Sequence, residues 1–173
     1  MANTYVLIAS QVLGSNTASV TFSSIPSTYT DLIIKTSTRN STTSSNVNIN
    51  FNNDSGTTRW SILYLRGSST TLVSTRSFGS NDAYIINATT SSGNYTSTFS
   101  NDEIYIPNYS TSSVKQISTL STRLGSATAT GLNTNTAGYY NTASVISTIN
   151  LLPSGGVNFQ TGSSFYLYGI KNS

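Results

Sequence analysis

The chain has 173 residues with no histidine and no cysteine, 5 acids and 8 bases, a formal charge of +3 and a pI near 9.2. Charged residues are 8% of it, against about 25% in ordinary soluble domains, while Ser, Thr and Asn supply nearly half. A disulfide scaffold is excluded, and little remains for catalysis near neutral pH, which draws on His, Cys or carboxylates of shifted pKa.

Taken in chain order, residues 5–8 (Tyr-Val-Leu-Ile) form a short apolar run that reads as a strand buried on both sides or near a sheet centre. No basic residue precedes Lys35, so the n-region of a secretion signal is lacking, and no apolar stretch is long enough to span a bilayer. The expectation is a chain neither exported by that route nor embedded in a membrane. Residues 18–22 alternate apolar and polar, and 31–36 read as a strand buried on both sides or near a sheet centre. Residues 46–52 alternate Asn with Val, Ile and Phe strictly, which predicts a strand with one buried face. Looser alternation marks 60–65 and 163–168, and 83–86, 103–106 and 145–152 read as strands buried on both sides or near a sheet centre. Gly, Pro and Asn clusters at 13–16, 25–27, 52–56, 107–108 and 153–156 supply turns. Ser, Thr and Asn compete with the helical backbone, so the sole helical expectation is a short turn within 108–114.

Roughly eight to ten strands without βαβ alternation predict an all-β fold, an antiparallel β-sandwich of jelly-roll-like form. Neither a long linker nor a repeat of fixed period divides the chain, so residues 1–173 are expected to form a single β-sandwich domain.

The five acids are Asp31, Asp54, Asp82, Asp102 and Glu103. A glycosidase needs two carboxylates on one sugar, but Asp102 and Glu103 are adjacent and point to opposite faces of a strand. The other acids flank turns, where Asp caps local backbone donors. Asn52-Asn53-Asp54-Ser55-Gly56 resembles a calcium loop superficially, yet it carries one carboxylate, and a hairpin turn explains it more simply. Gly125, Gly131, Gly138, Gly155 and Gly156 lack the spacing of a phosphate loop. No enzyme, no metal and no cofactor are therefore expected. The bases are scattered singly, which argues against a nucleic-acid partner despite the basic pI.

The tyrosines are the stronger lead. Tyr95, Tyr139, Tyr140 and Asn141 are the candidate contact residues, suited either to a protein interface or to stacking and hydrogen bonding with a glycan. In these clusters interface or strand packing outweighs ligand binding.

The opening Ala2-Asn3-Thr4-Tyr5-Val6-Leu7-Ile8, the stretch Ser19-Val20-Thr21-Phe22-Ser23-Ser24-Ile25-Pro26, the central Glu103-Ile104-Tyr105-Ile106-Pro107-Asn108-Tyr109 and the ending Phe165-Tyr166-Leu167-Tyr168-Gly169-Ile170 resemble a family of small virion structural proteins of tailed bacteriophages, common in cyanophages. That resemblance implies a β-sandwich on the outside of the particle, either a capsid decoration (cement) protein or a fibre module. Cement proteins sit over joints between major capsid protein subunits, often as trimers, and the family carries no catalytic motif.

The leading expectation is thus a capsid decoration protein, a homotrimer bound to the major capsid protein on the virion surface (capsid exterior) and made in the bacterial host cytoplasm. Its rival is a tail-fibre or receptor-binding module that recognises host-surface glycan. Residues 40–45 and 126–141 are the low-complexity stretches in which private specificity is expected.

Overall fold

The computed structural model describes residues 4–41, 46–56, 58–68, 71–80, 83–86, 97–124 and 131–171, with backbone alone at 68, 78–80 and 83–86. Twelve strands run through them: β1 (Tyr5–Val12), β2 (Val20–Phe22), β3 (Asp31–Ser37), β4 (Val47–Phe51), β5 (Trp60–Ser68), β6 (Thr71–Ser80), β7 (Ala83–Ile86), β8 (Asn101–Ile106), β9 (Lys115–Leu124), β10 (Gly131–Tyr140), β11 (Ile149–Pro153) and β12 (Ser164–Ile170). All pairings are antiparallel, in an eight-stranded sheet of order β1-β12-β3-β8-β9-β10-β5-β6 and a four-stranded sheet of order β2-β11-β4-β7.

Eight of these strands make a jelly roll. β1 pairs with β12, β2 with β11, β3 with β8 and β4 with β7, which is the nested pairing of one long antiparallel ribbon. Rolling that ribbon places β1-β12-β3-β8 in one layer and β2-β11-β4-β7 in the other. The hairpins β5–β6 and β9–β10 are insertions that lengthen the first layer beyond β8.

Period-two alternation builds the core between the layers. Val47, Ile49 and Phe51 of β4 and Ile149 and Leu151 of β11 have no exposed surface, and they share one apolar cluster with Leu32 and Ile34 of β3, Ile104 and Ile106 of β8, and Phe165 and Leu167 of β12. Each such burial contributes about 1.5–3 kcal/mol. Phe51, Trp60 and Tyr140 form an aromatic cluster with ring centroids 4.9, 5.1 and 5.4 Å apart. Gly169 of β12 lies under Tyr29, whose ring would come within 2.4 Å of an added Cβ. Gly169→Ala is expected to displace that ring and cost about 1–3 kcal/mol, measurable as a lowered urea midpoint; an unchanged midpoint would contradict the close packing.

The structure corrects several expectations. β1 is an edge strand with Tyr5 and Leu7 more than half exposed, because it pairs only with β12 and nothing among the described residues covers its outer side. In β8, Glu103 is exposed while Ile104 and Ile106 are buried, so of the two readings the strand takes the second, lying near the centre of the long sheet with one buried face. The strand expected over 145–152 is confined to Ile149–Pro153. Asn52 and Asn53 both have positive φ, and Asp54 N donates to Phe51 O at 3.0 Å, closing a tight turn. This turn carries the chain from the small sheet to the large one and joins no hairpin. Residues 108–113 form turns and bends rather than a helix, held by Thr111 N donating to Asn108 O at 3.2 Å and by the buried Lys115 Nζ donating to the Thr111 and Ser113 carbonyls.

Candidate functional site

In an antiparallel sheet, directly opposed residues share a face. The pairing register therefore traces which side chains lie on the outer surface of the long sheet. One row runs from Leu7 through Tyr168, Ile33, Tyr105, Ser118, Ala137 and Leu63 to Arg76, and the next from Ser10 through Tyr166, Lys35, Glu103, Leu120, Asn135 and Leu65 to Ser74. Eight strands at the usual spacing make this face roughly 34 Å across.

Ten large hydrophobic residues are exposed among those described, and eight belong to this face: Tyr5, Leu7, Val12, Leu63, Leu65, Leu72, Leu120 and Tyr139; Val114 and Val145 are the other two. Scattered exposed hydrophobics are ordinary, but gathering them on one surface marks an interaction site. Ile33 sits on the same face and is only 5% exposed, lying between Tyr105 and Tyr168 on its neighbouring strands.

A groove of about 650 Å³ crosses the part of this face built by β8, β9, β10 and β5. Ser61, Ser118 and Ala137 make a floor of small side chains, while Tyr105, Pro107, Gln116, Tyr139, Leu63 and Arg76 stand around it. Tyr105 is fixed at its far end, since its hydroxyl donates to Asp31 Oδ2 at 2.8 Å. Asp31 Oδ1 accepts from Asn108 N at 2.8 Å, tying the same carboxylate to the turn after β8.

Of the residues proposed from sequence, Tyr139 lies in this groove, 40% exposed. Tyr140 does not: strand alternation turns it inward, where it is 1% exposed, packs on Phe51 and Trp60, and donates its hydroxyl to Asp54 Oδ2. The reading of both tyrosines as surface contacts is corrected for Tyr140, because the segment is a strand and adjacent residues of a strand face opposite ways. Asn141 is exposed just past β10, its backbone N donating to Arg59 O at 2.7 Å. Tyr95 lies outside the described residues. Leu63, Leu65, Leu120 and Tyr105 do not stand out as site residues in the sequence; the signal was present in 60–65, where apolar residues occupy both alternation phases.

The outer surface of the small sheet has different chemistry. Thr21 Oγ1 donates to Asn150 Oδ1 at 2.7 Å, Asn150 Nδ2 to Asn53 Oδ1 at 2.7 Å, and Asn50 Nδ2 to the Asp54 carbonyl at 2.6 Å. Thr21, Asn150 and Asn53 are thus linked in series, and neutral hydroxyl and amide groups make that part of the surface polar.

The described acids are dispersed. Glu103 pairs with Lys35 at 3.1 Å on the outer face, and Asp54 pairs with Arg59 at 3.1 Å. The Tyr140 hydroxyl, then the Gly56 N–H and Arg59, hold the Asp54 carboxyl below its usual range, against a weaker opposing effect of burial. Asp102 points the other way from Glu103, into the interior, and is 2% exposed. Its carboxylate accepts from Ser100 Oγ at 2.6 Å, Ser121 Oγ at 2.5 Å and Thr36 Oγ1 at 3.0 Å. Burial pushes its pKa up to about 6, although the three hydroxyls and the charge of Arg123 pull it down. Among the described residues no three metal-ligating side chains cluster. No helix there is long and apolar enough to cross a membrane. No family model, curated protein or solved structure matches the chain.

Proposed function

We propose that this chain is a structural protein of a bacteriophage virion, a capsid decoration protein that seats the outer face of its long sheet on the major capsid protein and acts without catalysis. The observation that carries this reading is the gathering of eight exposed apolar and aromatic residues on that one face. The phage assignment draws on the sequence resemblance, and the dispersal of Asp31, Asp54, Asp102 and Glu103 agrees with a passive role. The bases agree with a protein rather than a nucleic-acid partner: Lys35 and Arg59 are paired with carboxylates, and Arg39 and Lys115 are buried.

Contacts made by apolar surface and neutral hydrogen bonds are screened little by salt. Repetition over a lattice multiplies weak contacts into high occupancy. Attachment is accordingly expected to survive washing of purified particles in high salt, with a copy number comparable to the major capsid protein on quantitative gels. Release by moderate salt, or a copy number far below that of the shell protein, would contradict the proposal.

A second reading, a tail-fibre or receptor-binding module that holds host-surface glycan, draws on the groove. Tyr105 and Tyr139 offer ring faces, and Ser61, Ser118, Gln116 and Arg76 offer hydrogen-bonding groups beside them. The low copy number that contradicts decoration is the one this reading requires.

A further inference from the structure

We infer that the free edge of β6 pairs antiparallel with β6 of a second copy, joining two long sheets into one across a two-fold axis. A sheet edge is a row of unpaired backbone donors and acceptors, and soluble proteins blunt such edges by keeping them short, bulging them or charging them. Three of the four edges here are blunted. β2 has three residues, β7 has four with an irregularity in its register, and β1 is broken by a register shift between Leu7 and Ala9. β6 is different: its register against β5 runs unbroken over eight residues from Thr71 to Phe78, with its one irregularity confined to the end beyond Phe78, it contains no proline, and Arg76 is its single charge. Among the described residues no strand pairs with its far side.

A second copy is the occupant that these side chains select. The outer faces of two joined sheets coincide only if Leu72, Ser74 and Arg76 oppose residues of the same set. Opposing Arg76 to its own copy is disfavoured by like charge. The remaining registers that keep the regular segment paired centre on Ser74 or on Thr75. In the first, Leu72, the most exposed large hydrophobic at 75%, lies along the aliphatic stem of the other copy's Arg76. Either register merges the Leu63, Leu65 and Leu72 surfaces of two copies into one apolar face.

A pair of strands covers less than the ~1,200–2,000 Å² of a stable specific interface, so the dimer is weak in solution and strengthened where copies are held side by side. A two-fold pair also differs from the three-fold assembly that the sequence resemblance implies.

Ser74 is exposed and opposes either Ser74 or Arg76 of the other copy, so Ser74→Lys places like charges together in both registers without touching the core. The test is sedimentation of the purified protein from micromolar to millimolar concentration, with amide hydrogen exchange read over 71–77. Wild type is expected to pass from monomer to dimer while exchange in 71–77 slows, Ser74→Ala to do the same, and Ser74→Lys to weaken dimerisation at least tenfold at an unchanged melting temperature. A wild type that stays monomeric, a trimer, or a dimer indifferent to Ser74→Lys would overturn the inference. So would exchange in 71–77 that ignores concentration, a readout needing no variant. Because particles are not involved, failure here leaves the attachment proposal standing, and failure of attachment leaves this one.

Discussion

Between pH 4 and pH 6 the folded protein is expected to lose about 2 kcal/mol of stability, the larger part of an effect of about 3 kcal/mol that is complete near pH 7, being firmer in mild acid than at neutrality. The cause is Asp102, whose carboxyl is pushed from 3.8 up to about 6 by burial. With the folded pKa above the unfolded one, the native state holds more protons than the unfolded chain throughout that window. Stability therefore falls as pH rises through it, the reverse of the usual carboxylate, by about 1.4 kcal/mol for each pH unit that separates the two pKa values. The lowered carboxyl of Asp54 acts in the opposite sense, adding stability as pH rises, but that gain is nearly complete just above its unfolded value of 3.8 and offsets the effect only at the acid end of the window. Asp102→Asn keeps the shape and removes the charge, so its denaturant midpoint is expected to be flat from pH 4 to pH 7 and above wild type at pH 7. The gain is smaller than the full 3 kcal/mol where an amide serves the three hydroxyls less well than a carboxylate. A wild type whose stability rises from pH 4 to pH 6 would show that the hydroxyl donors and Arg123 outweigh burial.

The second large effect separates two neighbouring tyrosines. Tyr140→Ala removes a buried ring from the Phe51–Trp60 cluster together with its hydrogen bond to Asp54, and is expected to cost about 3–5 kcal/mol. For a chain of this length that lowers the melting temperature by roughly 10 °C. Tyr139→Ala, one residue away on the outer face, is expected to change stability by less than about 0.5 kcal/mol while weakening attachment to particles. Thermal melts of the two variants check the first half, and binding to particles stripped of the protein checks the second. Equal losses of stability would mean that β10 is not aligned as described.

Some of this was legible before any coordinates. Strict Asn-apolar alternation located β4, looser alternation located β12, the aliphatic run over 31–36 located β3, and the adjacency of Asp102 and Glu103 predicted their separation to opposite faces. The all-β class followed from the same periodicity. β9 and β10 escaped, for one physical reason: their inward positions include Thr119, Ser121, Thr134 and Thr136, which are buried hydroxyls rather than aliphatics. Threonine suits a strand, but its burial leaves no hydropathy contrast between the two faces. Tyr140 was misjudged for the same reason, since its inward role, opposite to that of Tyr139, follows only once the segment is known to be extended.

The outer face was harder still. A strand with apolar residues on both sides reads from sequence as one covered on both sides or near a sheet centre, as residues 5–8 did. Only the pairing register reveals that Leu7, Leu63 and Leu120 lie together on a layer with no third layer over it among the described residues.

Cryo-electron microscopy of the intact virion is the decisive measurement for a protein proposed to act by covering the shell. Jelly-roll density is expected on the capsid exterior, with the surface bearing Leu63, Leu120 and Tyr139 turned onto neighbouring subunits. Particles lacking the protein, or holding it with that surface open to solvent, would contradict the proposal.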